Sequence, residues 1–501
     1  MNGSLGAARA SGRRRRPTLW LLFAISLGLV LLTAALGRSV SEPPLPEGSG
    51  WPPWSAAVRP NPWVPMTLLV GAVAAGAVTL GLGLRALRRG WQPSVRALVA
   101  TGSVLTGALL LVPPLGSADI HSYAAYGQMA AAGLDPYATP PSRAARVGIP
   151  AAAWVEAPWK NTTSIYGPAA TKLQEVAARL TGLSVRGTIV TLAGLTGLAF
   201  LLCGLLLLGM ASGDEARRRV ALLWWFNPLL LFELVGGAHL DAIATCIAVA
   251  AIAAARRSRL VAGALGGLAV AIKSPMALVG GAMAWADRRS LRRLGALAAG
   301  AAAVAAPFYL LAGPHVLDQT RNAASRFVSP STPWRVVAGL LQPVLGLARS
   351  RAAAATAALV LAVVVGVALD RLIPQVDPEP RQQAVRAGLV ASLAWVLTAP
   401  YLLPWYDATS WALLALVPAS LADSLLLVHT ATLALAFLPG RDIPLTASLN
   451  GAMLLLHAVA SPLLLGGVIA VTLRKGFSQA PRPPAPSSPA VQTPATAGRA
   501  Q

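Results

Sequence analysis

The chain has 501 residues, of which 55% are hydrophobic and 12% charged, and its mean hydropathy is +0.61. Soluble proteins carry about 25% charged residues, so an ordinary soluble enzyme is excluded. The formal charge is +23, and all but four of the 41 basic residues are arginines; they cluster between apolar runs, as cytoplasmic loops of membrane proteins do, which speaks for an orientation signal and against a nucleic-acid surface.

The N-terminal residues 1–17 are basic, with four arginines at 13–16, and an apolar run follows at 18–36. About 19 residues suffice to cross about 30 Å of hydrocarbon, and no clear small-residue cleavage site follows, so a retained first span with its N-terminus inside is expected. Further arginine clusters stand at Arg85, Arg88, Arg89 and Arg96, then at 217–219, 256–259 and 288–293. The last two comprise Arg371, Arg381 and Arg386, and Arg474 with Lys475. Placing them on alternate loops gives an all-α polytopic membrane protein of about 14 helices over 18–475, both termini cytoplasmic. The stretch 411–438 reads either as two short spans turning at Ala422 and Asp423 or as one long tilted span.

Three stretches fall on the non-cytoplasmic side in this count. Residues 38–63 are rich in Pro and Trp, 116–186 form the longest external loop, after the third span, and 313–351 form another with an amphipathic piece at 336–348. The Pro/Ala/Ser-rich tail 476–501 is expected to be disordered. Cys203 and Cys246 both sit in apolar runs and read as packing residues.

Few residues in such a chain can carry chemistry. Asp119 opens the long loop, and on a helix Asp119, Tyr123 and Tyr126 occupy i, i+4 and i+7 and share a face. A carboxylate on an aromatic face can act as a general base beside a sugar, and it can equally cap the helix N-terminus. Runs 220–235 and 240–255 are only about 24 Å long each, so their Gly236-Gly237-Ala238-His239-Leu240-Asp241 apex is expected within the membrane, lining a watery cavity. Glu233 is costly there unless it is neutral and paired or faces the same cavity. Lys273, at the apex of a still shorter pair, is the only lysine within the apolar part of the chain, and an ammonium there suits a departing phosphate. A snorkelling lysine at a helix end is the plainer alternative. Trp405 and Tyr406, in Pro400-Tyr401-Leu402-Leu403-Pro404-Trp405-Tyr406-Asp407, read either as an aromatic belt or as a sugar platform. Asp119, His121, His239 and Asp241 are residue types that zinc or manganese accepts, but a spacing of two places neither pair on one helical face, and no metal is expected.

Taken in order along 63–411, these segments, with Gly133-Leu134-Asp135-Pro136-Tyr137, Tyr166-Gly167-Pro168 and Phe226-Asn227-Pro228, resemble the polyprenol-phosphomannose-dependent α-1,6-mannosyltransferases of actinobacteria, members of the GT-C glycosyltransferase superfamily. Leu240 stands where that family usually has an Asn. The resemblance implies a GT-C-like fold in the plasma membrane with the active site facing the non-cytoplasmic side. It also implies inverting transfer of mannose from polyprenyl-phosphate-mannose to a lipid-linked mannan acceptor of the lipomannan and lipoarabinomannan type. Asp119 would be the base, and Lys273, with Arg321 or Arg326, would hold the donor phosphate. His121, Tyr123, Tyr126, Tyr166, His239, Asp241, Trp405 and Tyr406 would bind the substrates, without a cofactor. Two alternatives stay open: a transporter or flippase of lipid-linked sugars, and a transferase of another linkage or sugar, such as α-1,2-mannosyl or arabinofuranosyl.

Overall fold

A computed structural model describes residues 16–46, 51–56, 58–317 and 328–478. Their regular structure is helical throughout. The first span is α1 (Pro17–Leu36), with Pro17 at its first position and Gly37, at φ 81°, closing it. There follow α2 (Trp63–Arg88), α3 (Val95–Leu110), α4 (Asp119–Ala131), α5 (Pro168–Leu180) and α6 (Val185–Met210). Next come α7 (Gly213–Gly236), α8 (Asp241–Ala254), α9 (Arg259–Ile272), α10 (Ala277–Ala286) and α11 (Leu291–Ala312). The chain ends with α12 (Pro333–Leu372), α13 (Pro380–Thr398), α14 (Ala408–Leu414), α15 (Ala422–Phe437) and α16 (Ala447–Ser478).

Serine recurs as the start signal: Ser94, Ser184, Ser258 and Ser290 each accept a backbone N–H in the first turn of α3, α6, α9 and α11. Seven described helices, α1, α2, α6, α7, α11, α12 and α16, are long and apolar enough to cross a membrane, and α3, α8, α9 and α15 are shorter apolar helices. The short pair expected around Lys273 therefore forms as read, as α9 and α10, whereas of the pair around Asp241 only α8 is short: α7 extends back to Gly213 over 24 residues and is one of the seven. The expected turn at Ala422 and Asp423 falls earlier: α14 ends at Leu414, and Asp423 lies in the first turn of α15, where Arg219 and Arg88 bind it. In α12, Gly346 at φ 74° breaks the helix and separates its first part, which holds most of the amphipathic piece, from the long apolar remainder.

Buried from residue 221 to 240, the second part of α7 and the apex after it lie at the centre of the bundle. Two π-helical turns (Ala221–Trp225, Leu231–Gly236) flank Asn227-Pro228, where Asn227 accepts the N–H of Leu230. Neighbours approach α7 closely: a Cβ on Gly102 would lie 2.3 Å from the Trp225 carbonyl oxygen. One end of the bundle is knitted by chain-distant hydrogen bonds, Leu115 N–H to Gly236, Gly116 N–H to Ser41 and Val58 N–H to Leu36. At the same end Arg441 binds the Glu156 carboxylate and the carbonyls of Ser39 and Glu42. This knitted end carries Asp119.

Candidate active site

Asp119 is the first residue of α4, and Ala118, not Asp119, occupies the capping position. Ser117 Oγ instead accepts the Asp119 N–H at 3.1 Å, which leaves the carboxylate free to face inward. The helical repeat brings Tyr123 Oη to 3.5 Å from Asp119 Oδ2 and to 3.4 Å from His239 Nδ1, and that ring nitrogen lies 3.8 Å from the same carboxylate oxygen. Tyr166 packs edge-on against Tyr123 with centroids 5.0 Å apart, and Tyr126 gives its hydroxyl hydrogen to the Thr162 carbonyl at 2.9 Å. Burial raises the Asp119 pKa from 3.8 to about 7, Lys273 opposes that rise, and the Tyr123 and Tyr166 hydroxyls act in the same direction as Lys273.

His239 arrives from the tight apex between α7 and α8, where Ala238 takes φ 54°. Its ring lies flat on Trp405, with centroids 3.4 Å apart, and Nε2 is buried without a hydrogen-bond partner among the described residues. Trp405 belongs to the turn Pro404–Asp407, whose next residue, Tyr406, lies under Lys273 with Nζ 3.8 Å from the ring centroid. Lys273 is also bonded at 2.6 Å to Asp241, in the first turn of α8. The structure thus assigns Asp241 to the lysine. These two contacts hold the Lys273 side chain, 13% exposed, from both sides.

The Tyr166-Gly167-Pro168 turn reaches the same apex. Gly167 N–H donates to the Ile272 carbonyl at 3.0 Å, and a Cβ at 167 would lie 2.2 Å from the Ala271 oxygen, so a long loop is anchored one residue from Lys273. Next to Asp119 opens a cavity of about 420 Å³, walled by Trp159, Ser329, Tyr401, Pro404, Phe437, Arg441 and His457 among others.

The structure therefore joins Asp119, Tyr123, Tyr126, Tyr166, His239, Asp241, Lys273, Trp405 and Tyr406 in one contiguous group. His121 is not part of it. Two residues on from Asp119, it turns to another side of α4 and packs by Trp154 with centroids 6.2 Å apart, and burial, with Arg441 nearby, lowers its pKa to about 4. Arg321 and Arg326 lie outside the described residues. Among the described residues no three His, Cys, Asp or Glu side chains converge as a metal set; Asp241 is turned to Lys273 and His239 to Asp119 and Tyr123. Sequence reasoning missed Arg441 and His457, whose places in the cavity wall depend on tertiary packing.

Residues 20–289, more than half of the chain, match the family model of the alpha-(1->6)-mannopyranosyltransferase N-terminal domain. Alpha-(1->6)-mannopyranosyltransferase A of Mycobacterium tuberculosis is 34% identical over 220 residues, 42% of this chain and 41% of that protein. The A and B enzymes of Corynebacterium glutamicum are 26% identical over 233 residues (44% of this chain, 45% of that protein) and 29% identical over 187 (36% and 29%). The matched stretch thus spans less than half the length of these curated relatives. No solved structure matches the chain. The chain belongs to the alpha-(1->6)-mannopyranosyltransferase family.

Proposed function

Taking that membership as the premise, we propose that the chain transfers mannose from polyprenyl-phosphate-mannose to a lipid-linked mannan, forming α-1,6 linkages with inversion at the anomeric carbon. The observation that carries the reading is the placement of the Asp119 carboxylate on a cavity, in one connected group with the Lys273 ammonium. A lipid-phosphate sugar already has a good leaving group, so the site needs a base for the acceptor hydroxyl and a cation for the phosphate.

In this reading the acceptor oxygen attacks the anomeric carbon, the bond from that carbon to the phosphate oxygen breaks, and polyprenyl phosphate departs. Asp119 Oδ2 takes the hydroxyl proton. A pKa of about 7 suits that task, because a base close to the working pH combines availability with driving force. Lys273 holds the phosphate, and Asp241 fixes the ammonium while Tyr406 supports it from below. Tyr123, Tyr126, Tyr166, Trp405 and Tyr406 are the proposed sugar contacts. Arg321 and Arg326 are proposed as further phosphate contacts. The arginine-rich loops favour the plasma membrane with this site on its non-cytoplasmic side.

The test is direct. Purified protein in detergent, given polyprenyl-phosphate-mannose and a short α-1,6-mannoside, is expected to form one new α-1,6 bond without added metal. A product of another linkage would redirect the acceptor assignment, and the absence of any new glycosidic bond would end the transferase reading in favour of transport.

A further inference from the structure

Behind the aromatic turn lies a second buried polar group that the reading above does not use. Asp407 closes the Pro404–Asp407 turn and immediately precedes α14, yet its carboxylate makes no capping bond to that helix. It is directed into α15 instead. There Thr430 Oγ1 donates to Asp407 Oδ2 at 2.6 Å, and His429 Nδ1 lies 2.9 Å from the same oxygen. Trp411 Nε1 in turn donates to Thr430 Oγ1 at 2.9 Å. Asp407 and Thr430 are fully buried and His429 almost so, while Asp407 Oδ1 and His429 Nε2 have no hydrogen-bond partner among the described residues. A buried carboxylate is an expensive way to join two helices, since apolar residues of similar volume commonly serve stability as well or better. What it provides is direction: a hydrogen-bonded carboxylate fixes one orientation of the turn that carries it, where apolar packing tolerates several.

That turn presents Trp405 and Tyr406. Trp405 lies flat on His239, whose Nδ1 faces Asp119 and Tyr123, and Tyr406 lies beneath Lys273. A rotation of the turn would therefore displace the neighbours of the base and of the cation together. The geometry points to Asp407, gripped by His429 and Thr430, as a positioning residue that sets the Trp405–Tyr406 turn and through it holds His239 and Lys273 in register for transfer. The grip comes wholly from residues beyond 289, the last residue that the family match covers. This inference rests on the transfer reaction proposed above.

The experiment compares the wild type with Asp407→Ala, Asp407→Asn and Thr430→Val, each purified in detergent. Local hydrogen exchange of the peptide spanning 400–408 is read beside mannosyl transfer. Asp407→Ala is expected to speed exchange in that peptide, and to lower kcat about 100-fold, the scale on which a misplacement of about 1 Å acts on a reacting site. Asp407→Asn, which keeps an acceptor for Thr430, is expected to recover most of the loss. The cost of Asp407→Ala should also shrink when Trp405→Ala is already present, whereas a purely structural role gives additive losses. Should Asp407→Ala fail to fold, Thr430→Val carries the same comparison. Unchanged exchange with wild-type kcat, or additive losses in the double variant, overturns the inference. If the wild type itself forms no glycosidic bond while exchange still quickens in the variants, the grip on the turn stands and the transferase reading is what fails.

Discussion

Two buried carboxylates at opposite ends of the bundle show how the same residue type is put to different uses. Asp423 is wholly buried and saturated: Arg219 grips both of its oxygens, Arg88 adds a bond at 2.8 Å, and the Ser420 N–H a further one at 3.3 Å. Asp119 is almost as buried, but its side-chain neighbours stand at 3.5 and 3.8 Å, and a cavity opens beside it. A carboxylate with both oxygens held by arginine is a rivet. One held at arm's length from a tyrosine and a histidine has capacity left for a proton and a substrate, and its pKa is raised by burial, which Lys273 and the Tyr123 and Tyr166 hydroxyls only partly offset.

The sharpest way to break this contrast is to make the same substitution at both ends. Asp119→Asn is expected to lower transfer from polyprenyl-phosphate-mannose by about 10²- to 10⁴-fold, the range typical of losing a general base, in protein that still inserts and folds. Full activity in that variant would remove the base assignment. Asp423→Asn should instead cost about 3–5 kcal/mol of stability, because it leaves Arg219 buried without its counter-charge. A melt in detergent reads that loss, and kcat of the protein that remains folded is expected to stay near wild type.

The pH dependence separates the two carboxylates next. In its proposed role as base Asp119 must be ionised, so kcat/KM is expected to fall about tenfold per pH unit below about 7. Stability runs the other way. Its folded pKa lies above the ordinary value, so the folded state binds the proton more tightly, and the stability this confers is present below about pH 4 and lost as pH rises through about 7. Asp119→Asn should therefore raise the melting temperature at pH 8 and leave it near wild type at pH 4. A rise of equal size at both pH values would show that the carboxyl is not titrating in this range.

The contrast also explains which features are legible in the amino-acid sequence. Asp119, Tyr123 and Tyr126 are legible because one helix sets their spacing, and Lys273 because no other lysine lies in the apolar part of the chain. The short pair around Lys273 is legible from length alone, whereas α7 runs on beyond the apolar stretch that marks it. His121 misleads: proximity in sequence to Asp119 counts for it, whereas two residues along a helix turn a side chain away from the first. The partnership of Lys273 with Asp241, 32 residues earlier, and of Arg441 with Glu156, 285 residues away, depends on how helices dock, and no local pattern encodes it. Asp407 is hidden for the same reason, since its partners His429 and Thr430 lie on α15.

The smallest expected effect tests whether the long loop shapes the site or only covers it. Gly167 has an ordinary extended backbone, φ −69° and ψ 162°, so alanine there meets no conformational penalty. Its obstacle is contact: the new Cβ would lie 2.2 Å from the Ala271 oxygen and 2.6 Å from its carbonyl carbon, both backbone atoms that cannot swing aside. Gly167→Ala must push the Tyr166–Pro168 turn off the apex of α9, stretching the 3.0 Å bond from its own N–H to Ile272. Overpacking of this kind costs about 1–3 kcal/mol. Because the displaced backbone adjoins Lys273, the donor KM should rise more than the acceptor KM, with Tyr166 drawn away from Tyr123 as the turn moves. Equal changes in both KM values would show that the turn supports the whole cavity, whereas a lowered melting temperature with wild-type kinetics would make it scaffold alone, and the site would then end at Lys273.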